Sequence, residues 1–152
     1  MKRVAIAGAT GAVGTEMLKT LEKRNFPVSS LKLLASERSV GRKLVFKGKE
    51  IAVELLRPEA FDDVDIVLSS TSGTLSKQFS PAAVERGAVV VDNTSAFRMD
   101  PKVPLVVPEV NPEDIKWHSG IIANPNCSTI IANVPLFPIY KKFGLKRFVS
   151  CT

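Results

Sequence analysis

A chain of 152 residues, with 45% hydrophobic and 24% charged residues, has the size and composition of one globular domain with its own core. Its net charge of +6 comes from lysines and arginines scattered along the sequence, which favours small anionic ligands over nucleic acid. Two cysteines and one histidine exclude a disulfide framework and a zinc site, and no apolar run approaches the roughly 18 residues of a membrane span. We therefore expect a soluble, cytoplasmic protein with no metal, nucleic acid or membrane among its partners.

The N-terminal segment predicts a strand, a glycine-rich turn and a helix. Residues 3–7 are an apolar run of strand length, residues 8–14 read GATGAVG, and residues 15–24 have the pattern of an amphipathic helix. Glycines at such a turn let the backbone approach a pyrophosphate, which the helix N-terminus then stabilises. The spacing is GxxGxxG rather than GxGxxG, and glycine-rich turns also occur without a ligand. The position directly after the first strand favours a dinucleotide site.

The loop after the second predicted strand, residues 31–35, bears on the choice between NAD and NADP. A carboxylate there binds the ribose hydroxyls of NAD, whereas an arginine accommodates the 2′-phosphate of NADP. Glu37 is an acid of the first kind, while Arg38 with Ser36 and Ser39 supplies donors suited to a phosphate. We predict NADP, with an ordinary polar loop as the alternative.

The middle of the chain predicts a hairpin followed by a strand and a helix. The hairpin pairs residues 44–46 with residues 51–53, and the strand covers residues 64–68. Hydroxyl side chains follow that strand, so Ser70 is a candidate cofactor contact at the ligand side of the sheet. A helix over residues 75–86 comes next, and Pro81 is expected to interrupt or divide it.

A further apolar strand, residues 88–91, leads into a polar segment that ends at Arg98. Loops after the carboxyl ends of parallel strands face the ligand crevice, which places Asn93 and Arg98 on that side. The guanidinium of Arg98 is a planar, permanently charged fork suited to a carboxylate or a phosphate. Most arginines in loops are simply solvated, so Arg98 is a candidate for binding an anion only because of the strand-and-loop pattern around it.

An Asn-Pro-Asn turn, residues 124–126, precedes Cys127 and predicts the start of a helix. Asn126 is a good N-cap, which would put Cys127 in the first helical turn. Unpaired backbone amides and the positive end of the helix dipole favour a thiolate there, as a nucleophilic cysteine requires. On position alone, a small buried cysteine beside a helix cap is an equally good interpretation.

The last predicted elements are a helix and a strand. The helix should run from Cys127 toward Lys142, kinked or split by Pro135 and Pro138, and residues 145–151 have the pattern of a strand. The whole pattern predicts an α/β, Rossmann-like, doubly wound and mostly parallel sheet flanked by helices. Residues 1–152 should form one dinucleotide-binding domain that includes segment 124–129. Because the sequence stops in a strand-like run, we expect a fragment.

Five segments, in this order, resemble the N-terminal, NADP-binding domain of the aspartate-semialdehyde dehydrogenase family. They are residues 8–14, residues 35–41 (ASERSVG), residues 92–100 (DNTSAFRMD), residues 107–111 (VPEVN) and residues 124–129 (NPNCST). The first is shared with many nucleotide-binding proteins, whereas the last three are specific. The N-acetyl-glutamyl-phosphate reductases are the nearest alternative family, but segments 92–100 and 124–129 fit them poorly.

The resemblance implies a reaction that runs through a cysteine. Cys127 is then the nucleophile, whose thiolate attacks the semialdehyde carbon to give a thiohemiacetal that passes a hydride to NADP⁺. Phosphate displaces the resulting thioester to give aspartyl phosphate, and the biosynthesis of lysine, threonine and methionine runs these steps in reverse. Arg98 matches the phosphate-binding arginine of the family, and Asn126 is expected to help it.

The predicted NADP-binding residues fall into three groups by position in the chain. The pyrophosphate loop comprises Gly8, Thr10, Gly11, Ala12 and Val13. The 2′-phosphate site comprises Ser36, Arg38 and Ser39. Contacts after the two later strands comprise Ser70 and Asn93.

The resemblance also implies that part of the machinery lies outside this sequence. The family's general acid/base histidine, its substrate-binding glutamine and arginine, and its dimerising domain would all follow residue 152. We therefore expect a homo-oligomeric full-length dehydrogenase acting on aspartyl phosphate and the semialdehyde, and an inactive 152-residue chain. Two other classes stay open: a non-catalytic nucleotide-binding module, and a Rossmann reductase with different chemistry.

Overall fold

The computed structural model describes residues 1–151 and contains a seven-stranded sheet with three α-helices. The strands are β1 (Lys2–Ala7), β2 (Val28–Ala35), β3 (Lys43–Phe46), β4 (Lys49–Leu55), β5 (Ile66–Ser69), β6 (Val89–Asp92) and β7 (Ile121–Ala123). The α-helices are α1 (Ala12–Lys23), α2 (Gly73–Glu85) and α3 (Cys127–Phe143). Short 3₁₀ helices cover Glu37–Ser39, Pro58–Phe61 and Pro112–Trp117.

The strand order is β3-β4-β2-β1-β5-β6-β7, and every neighbouring pair is parallel except β3 with β4. From β1 the chain passes through α1 to β2 on one side, and later through α2 from β5 to β6 on the other. Because parallel crossovers are right-handed, these opposite directions put α1 and α2 on opposite faces. The predicted doubly wound, mostly parallel fold is confirmed.

Each face of the sheet has its own hydrophobic core. Leu18 of α1 packs with Ile6 and Leu33, whereas Ala83 of α2 packs with Val67 and Val90. The central strand β1 serves both cores, since residues 4–7 are all buried. Because these strands are parallel, their carboxyl ends lie at one edge of the sheet, where the loops that carry the predicted site residues begin.

The predicted hairpin is confirmed as β3 and β4, but several boundaries differ from expectation. Helix α1 begins at Ala12 rather than residue 15, because Gly11 adopts extended backbone angles (φ −78°, ψ 165°) and acts as the N-cap. Pro81 does not divide α2. A proline there cannot donate to the carbonyl of Lys77, and Lys77 is an exposed residue.

The C-terminal part of the chain also differs. Helix α3 is a single element that contains both Pro135 and Pro138, and Gly144, which has a positive φ of 72°, is its C-cap. The predicted strand over residues 145–151 is wrong, since these residues are exposed and form no ladder. An apolar run becomes a strand only where another strand pairs with it, and none of the described strands does.

Within residues 1–151, no helix combines the length and apolar character that crossing a bilayer requires. In the same range, no group of three or more His, Cys, Asp or Glu side chains is placed to hold a metal ion.

An ion pair joins the first strand to the loop before β5. The guanidinium of Arg3 donates to Asp65 Oδ1 from Nη2 (2.7 Å) and Nε (3.1 Å), and the Arg3 backbone amide donates to Asp65 Oδ2 (2.7 Å). These hydrogen bonds from the side chain and then the backbone of Arg3 lower the pKa of Asp65 from 3.8 to about 2. Asp63 makes a single, more exposed contact to Arg3 Nη1 at 3.0 Å.

We expect the Asp65 contacts to give the chain an acid-sensitive component of stability. Because the folded-state pKa lies below the unfolded value of 3.8, this contribution is present above about pH 4 and is lost as the pH falls toward 2. Thermal unfolding of Asp65→Asn between pH 2 and 7 should therefore show a smaller loss of Tm on acidification than the unmodified chain. Asp63→Asn is the matched control and should keep the unmodified slope; equal slopes in all three chains would contradict the assignment.

Candidate active site

The glycine turn after β1 is held in place by the neighbouring strands. The amides of Gly8 and Ala9 both donate to the carbonyl of Leu34, at 2.8 and 3.1 Å, and the Gly11 amide donates to the Gly8 carbonyl at 3.1 Å. Gly8 has a φ of +85°, and a Cβ there would lie 2.3 Å from the carbonyl oxygen of Ser70. The predicted contact residue Ser70 thus lies directly against the predicted cofactor turn.

Gly14 lets helix α1 begin against this turn. A Cβ at Gly14 would lie 2.2 Å from the Gly8 carbonyl oxygen, so no side chain fits between helix and turn. The amides of the first helical turn, which includes Ala12 and Val13, have no intrahelical acceptors and sit at the positive end of the dipole. Gly11, Ala12 and Val13 are exposed. This cradle of free amides fits the pyrophosphate of a dinucleotide.

The loop after β2 lies beside the glycine turn. Thr10 Oγ1 and Ser39 Oγ are 3.3 Å apart, and Ser39 is 6% exposed. Ser36 precedes the 3₁₀ helix Glu37–Ser39 in extended conformation, and both it and Arg38 are exposed. The two predicted parts of the cofactor site are therefore adjacent, with Ser39 joined to the turn and Arg38 open to a ligand.

Arg98 bridges the loops that follow β6 and β7. Its Nε donates to the carbonyl of Asn124 and its Nη2 to the carbonyl of Asn93, both at 2.9 Å. The side chains of Asn93 and Asn124 are also joined, at 2.8 Å. Within residues 1–151 no carboxylate lies within ion-pair distance of Arg98. A half-buried guanidinium with N–H groups to spare is equipped to bind an anion.

Cys127 is the first residue of α3, as predicted. The side chain of Asn126 caps this helix by accepting from the Ser128 amide at 2.9 Å, which confirms the predicted N-cap. Cys127 Sγ lies 4.0 Å from Asn126 Oδ1, and the cysteine is exposed, so the described residues do not bury it as a structural thiol. The turn that presents it is fixed by the Asn124 amide, which donates to the Asp92 carbonyl at 2.8 Å.

The predicted site residues therefore line one edge of the sheet. Their order follows the strand order: Arg38 after β2, the glycine turn after β1, Ser70 after β5, Asn93 and Arg98 after β6, and Cys127 after β7. With strands about 4.8 Å apart, the four steps from β2 to β7 span about 19 Å. The crevice crosses β1 and β5, where the winding direction reverses, the position at which doubly wound sheets bind ligands.

Two features of this edge were missed from the sequence. Strand β7, which leads into the turn before Cys127, was not predicted, and it has only three residues. Asp92 was placed just beyond a strand, whereas it is the last residue of β6 and fully buried. The alternation of side chains gave a usable signal, since Asp92 is two residues from the buried Val90 and so shares its face.

The fold and this edge define a Rossmann-like dinucleotide-binding domain. Residues 3–118 match the model of the family described as semialdehyde dehydrogenase, NAD binding domain. The chain belongs to this family, and the resemblance noted in the sequence is confirmed. A nicotinamide dinucleotide is accordingly the class of cofactor; Cys127 lies outside the matched residues, so its role stays a prediction.

Named relatives agree with the family match. The chain is 60% identical to an aspartate-semialdehyde dehydrogenase of Aquifex aeolicus, over 99% of the chain and 45% of the relative. It is similar to the crystal structure of aspartate semialdehyde dehydrogenase II of Vibrio cholerae complexed with ASA, with a TM-score of 0.91 and 53% identity over 95% of the chain and 48% of that structure. The aspartate semialdehyde dehydrogenase with NADP from Candida albicans gives a TM-score of 0.81 and 33% identity over 95% and 48%. The chain thus spans less than half the length of the relatives it matches.

Proposed function

We propose that this chain is the cofactor-binding and nucleophile-bearing part of an NADP-dependent aspartate-semialdehyde dehydrogenase, in which residues 1–152 form one dinucleotide-binding unit. The observation that carries the proposal is the juxtaposition of Cys127, in the first turn of α3, with the anion-binding side chain Arg98 on the adjacent loop. Membership of the semialdehyde dehydrogenase family supports it. We further propose that the full-length enzyme is a homo-oligomer and that the 152-residue chain alone is inactive.

In the biosynthetic direction, Cys127 Sγ attacks the acyl carbon of aspartyl phosphate. The carbon–sulfur bond forms, the bond from that carbon to the phosphate oxygen breaks, and phosphate leaves with the electron pair. Arg98 stabilises the charge of the phosphate before and after it leaves. A bound nicotinamide supplies the hydride that reduces the thioester. Cys127 then departs as the thiolate and the semialdehyde is released, so the cysteine is regenerated.

The preference for NADP rests on Arg38. Its exposed guanidinium follows β2, where the adenosine ribose of a dinucleotide lies in this fold, and no residue in 1–151 pairs with it as a counter-ion. Ser39 lies beside it and contacts Thr10 of the glycine turn. An arginine at this position favours a 2′-phosphate, whereas the neighbouring Glu37 would disfavour one by like-charge repulsion.

Replacing Arg38 with alanine should weaken binding of NADP by about tenfold to a hundredfold and leave binding of NAD almost unchanged. The reason is the loss of charge-assisted hydrogen bonds to a phosphate that only NADP carries. Titration of the chain with each dinucleotide, followed by calorimetry, measures both affinities. Arg42→Ala removes the same charge from a nearby exposed position and is the matched control; a tighter affinity for NAD than for NADP in the unmodified chain would refute the cofactor assignment.

The activity itself is tested in the complete enzyme, by which we mean the full-length protein that carries these residues. A hybrid that joins them to the rest of the Aquifex aeolicus relative serves the same test. Semialdehyde-dependent and phosphate-dependent formation of NADPH should appear in the complete enzyme and be absent from the 152-residue chain. Activity with N-acetyl-glutamate semialdehyde instead would favour the alternative reductase, and activity of the short chain would overturn the claim that it is incomplete.

A further inference from the structure

Asp92 is a buried carboxylate that the proposed reaction leaves without a role. The residue is 0% exposed, and its side chain accepts three hydrogen bonds. Oδ1 accepts from the Thr94 amide at 2.9 Å, while Oδ2 accepts from Thr94 Oγ1 and from Ser76 Oγ of α2, each at 2.8 Å. Burying a carboxyl group is costly unless hydrogen-bond donors surround it, and these three donors offset the cost of removing Asp92 from water.

The contact to the Thr94 amide fixes a peptide group that Arg98 uses. A peptide unit is planar and trans, so its N–H and C=O point in opposite directions. The amide of Thr94 belongs to the same unit as the carbonyl of Asn93, which accepts from Arg98 Nη2 at 2.9 Å. Because Asp92 holds the N–H end, the carbonyl end points toward Arg98. Thr94 Oγ1 also accepts from the Ala96 amide at 3.1 Å, which shapes the loop leading to Arg98.

The backbone of Asp92 fixes the second acceptor of Arg98. Its carbonyl accepts from the Asn124 amide at 2.8 Å, and the carbonyl of Asn124 accepts from Arg98 Nε at 2.9 Å. Asp92, at the end of β6, is therefore hydrogen-bonded directly to both of the loop segments whose carbonyls accept from the Arg98 guanidinium. The segment that begins at Asn124 also carries Cys127.

We propose that Asp92 is a positioning residue, which orients the Asn93–Thr94 peptide and thereby aims Arg98 at the anion bound beside Cys127. This inference rests on the proposed function for the identity of the anion, phosphate, but its geometric part concerns this chain alone. Asp92 is fully buried and touches no reacting atom, so it acts only through Arg98.

The test compares variants that remove the contacts of the Asp92 carboxylate to the loop with a variant that removes its contact to α2. Asp92→Ala removes all three contacts, and Thr94→Val keeps the shape of the side chain but removes its hydroxyl contacts to Asp92 and Ala96. Ser76→Ala is the matched control, because it removes the contact from α2 and leaves the loop contacts in place. Asp92→Asn is the conservative variant. The side-chain oxygen of the asparagine can still accept from the Thr94 backbone amide, and the hydroxyls of Thr94 and Ser76 can rotate to accept from its side-chain NH₂ group.

The first readout is the solvent exchange of the Arg98 Nη2 protons, one of which is donated to the Asn93 carbonyl, measured by NMR in the 152-residue chain and assigned with Arg98→Lys. We expect exchange to be about tenfold faster or more in Asp92→Ala, less accelerated in Thr94→Val, which keeps the amide contact, and close to the unmodified rate in Ser76→Ala and Asp92→Asn. Asp92→Val, which also removes the three contacts and leaves a smaller void, decides the test if Asp92→Ala does not fold. An unchanged rate in the folded Asp92 variant, or an equal acceleration in Ser76→Ala, would overturn the proposal.

The second readout is the KM for phosphate in the complete enzyme. Asp92→Ala, or Asp92→Val if Asp92→Ala does not fold, should raise it by about tenfold while the KM for NADP stays within about twofold, a split that general destabilisation would not produce. Equal rises in both constants would overturn the role in the reaction. If the unmodified complete enzyme had no activity, the proposed function would fail, and the proton-exchange result would still decide whether Asp92 positions Arg98.

Discussion

Replacing Cys127 with serine in the complete enzyme should lower phosphate-dependent formation of NADPH by at least about a thousandfold. A hydroxyl at the start of α3 keeps the shape of the side chain but ionises far less readily than a thiol, so it is a poor nucleophile near neutral pH. Cys127 is exposed in this chain, so the substitution disturbs no packing among its described residues. The affinity for NADP should stay within about twofold, since the predicted cofactor contacts belong to other loops.

The second cysteine supplies a matched control for this prediction. Cys151 is also free and exposed, and it follows α3 rather than beginning it. Cys151→Ser should leave the turnover rate within about twofold of the unmodified enzyme, and alkylation should inactivate Cys151→Ser as completely as it inactivates the unmodified enzyme. Full activity in Cys127→Ser would remove the covalent mechanism, whatever the cofactor does.

What the sequence could predict was set by local chemistry. The N-cap at Asn126 and the first-turn position of Cys127 follow from residues next to one another, and the structure confirms both. The main strands were recognisable because runs such as residues 88–91 are apolar throughout, as strands buried on both faces must be. The doubly wound class followed from the alternation of predicted strands and helices, whereas the order of the strands in the sheet was not predicted.

What the sequence could not predict depends on contacts between distant segments. Strand β7 has only three residues, and it exists because β6 offers a free edge, pairing Val90 with Ile121 and Val91 with Ile122. Residues 145–151 have a better strand pattern, yet no described strand pairs with them. The bridge made by Arg98 is of the same kind, since it joins carbonyls 31 residues apart in sequence, those of Asn93 and Asn124. Such features require the fold before they can be named.

At Gly14, local sequence and tertiary contacts predict opposite effects of a substitution by alanine. The position of Gly14 in a helix predicts that alanine would be tolerated, because alanine is the better helix former by about 1 kcal/mol. The structure predicts the reverse, since a Cβ would lie 2.2 Å from the Gly8 carbonyl oxygen and 2.9 Å from the Ala9 Cα, both backbone atoms. Helix and turn must separate to admit it.

We expect Gly14→Ala to lower the free energy of unfolding of the chain by about 1–3 kcal/mol, the usual cost of overpacking. It should also weaken dinucleotide binding by at least about tenfold, because the first-turn amides of α1 move away from the turn that completes the cradle. Gly73→Ala is the matched control, because Gly73 also lies in the first turn of a helix and nothing lies within 4 Å of its Cβ position. Urea unfolding and NADP titration of the two variants separate the local clash from the general effect of removing a glycine. If both variants bound NADP like the unmodified chain, the pyrophosphate would have to lie elsewhere than at this turn.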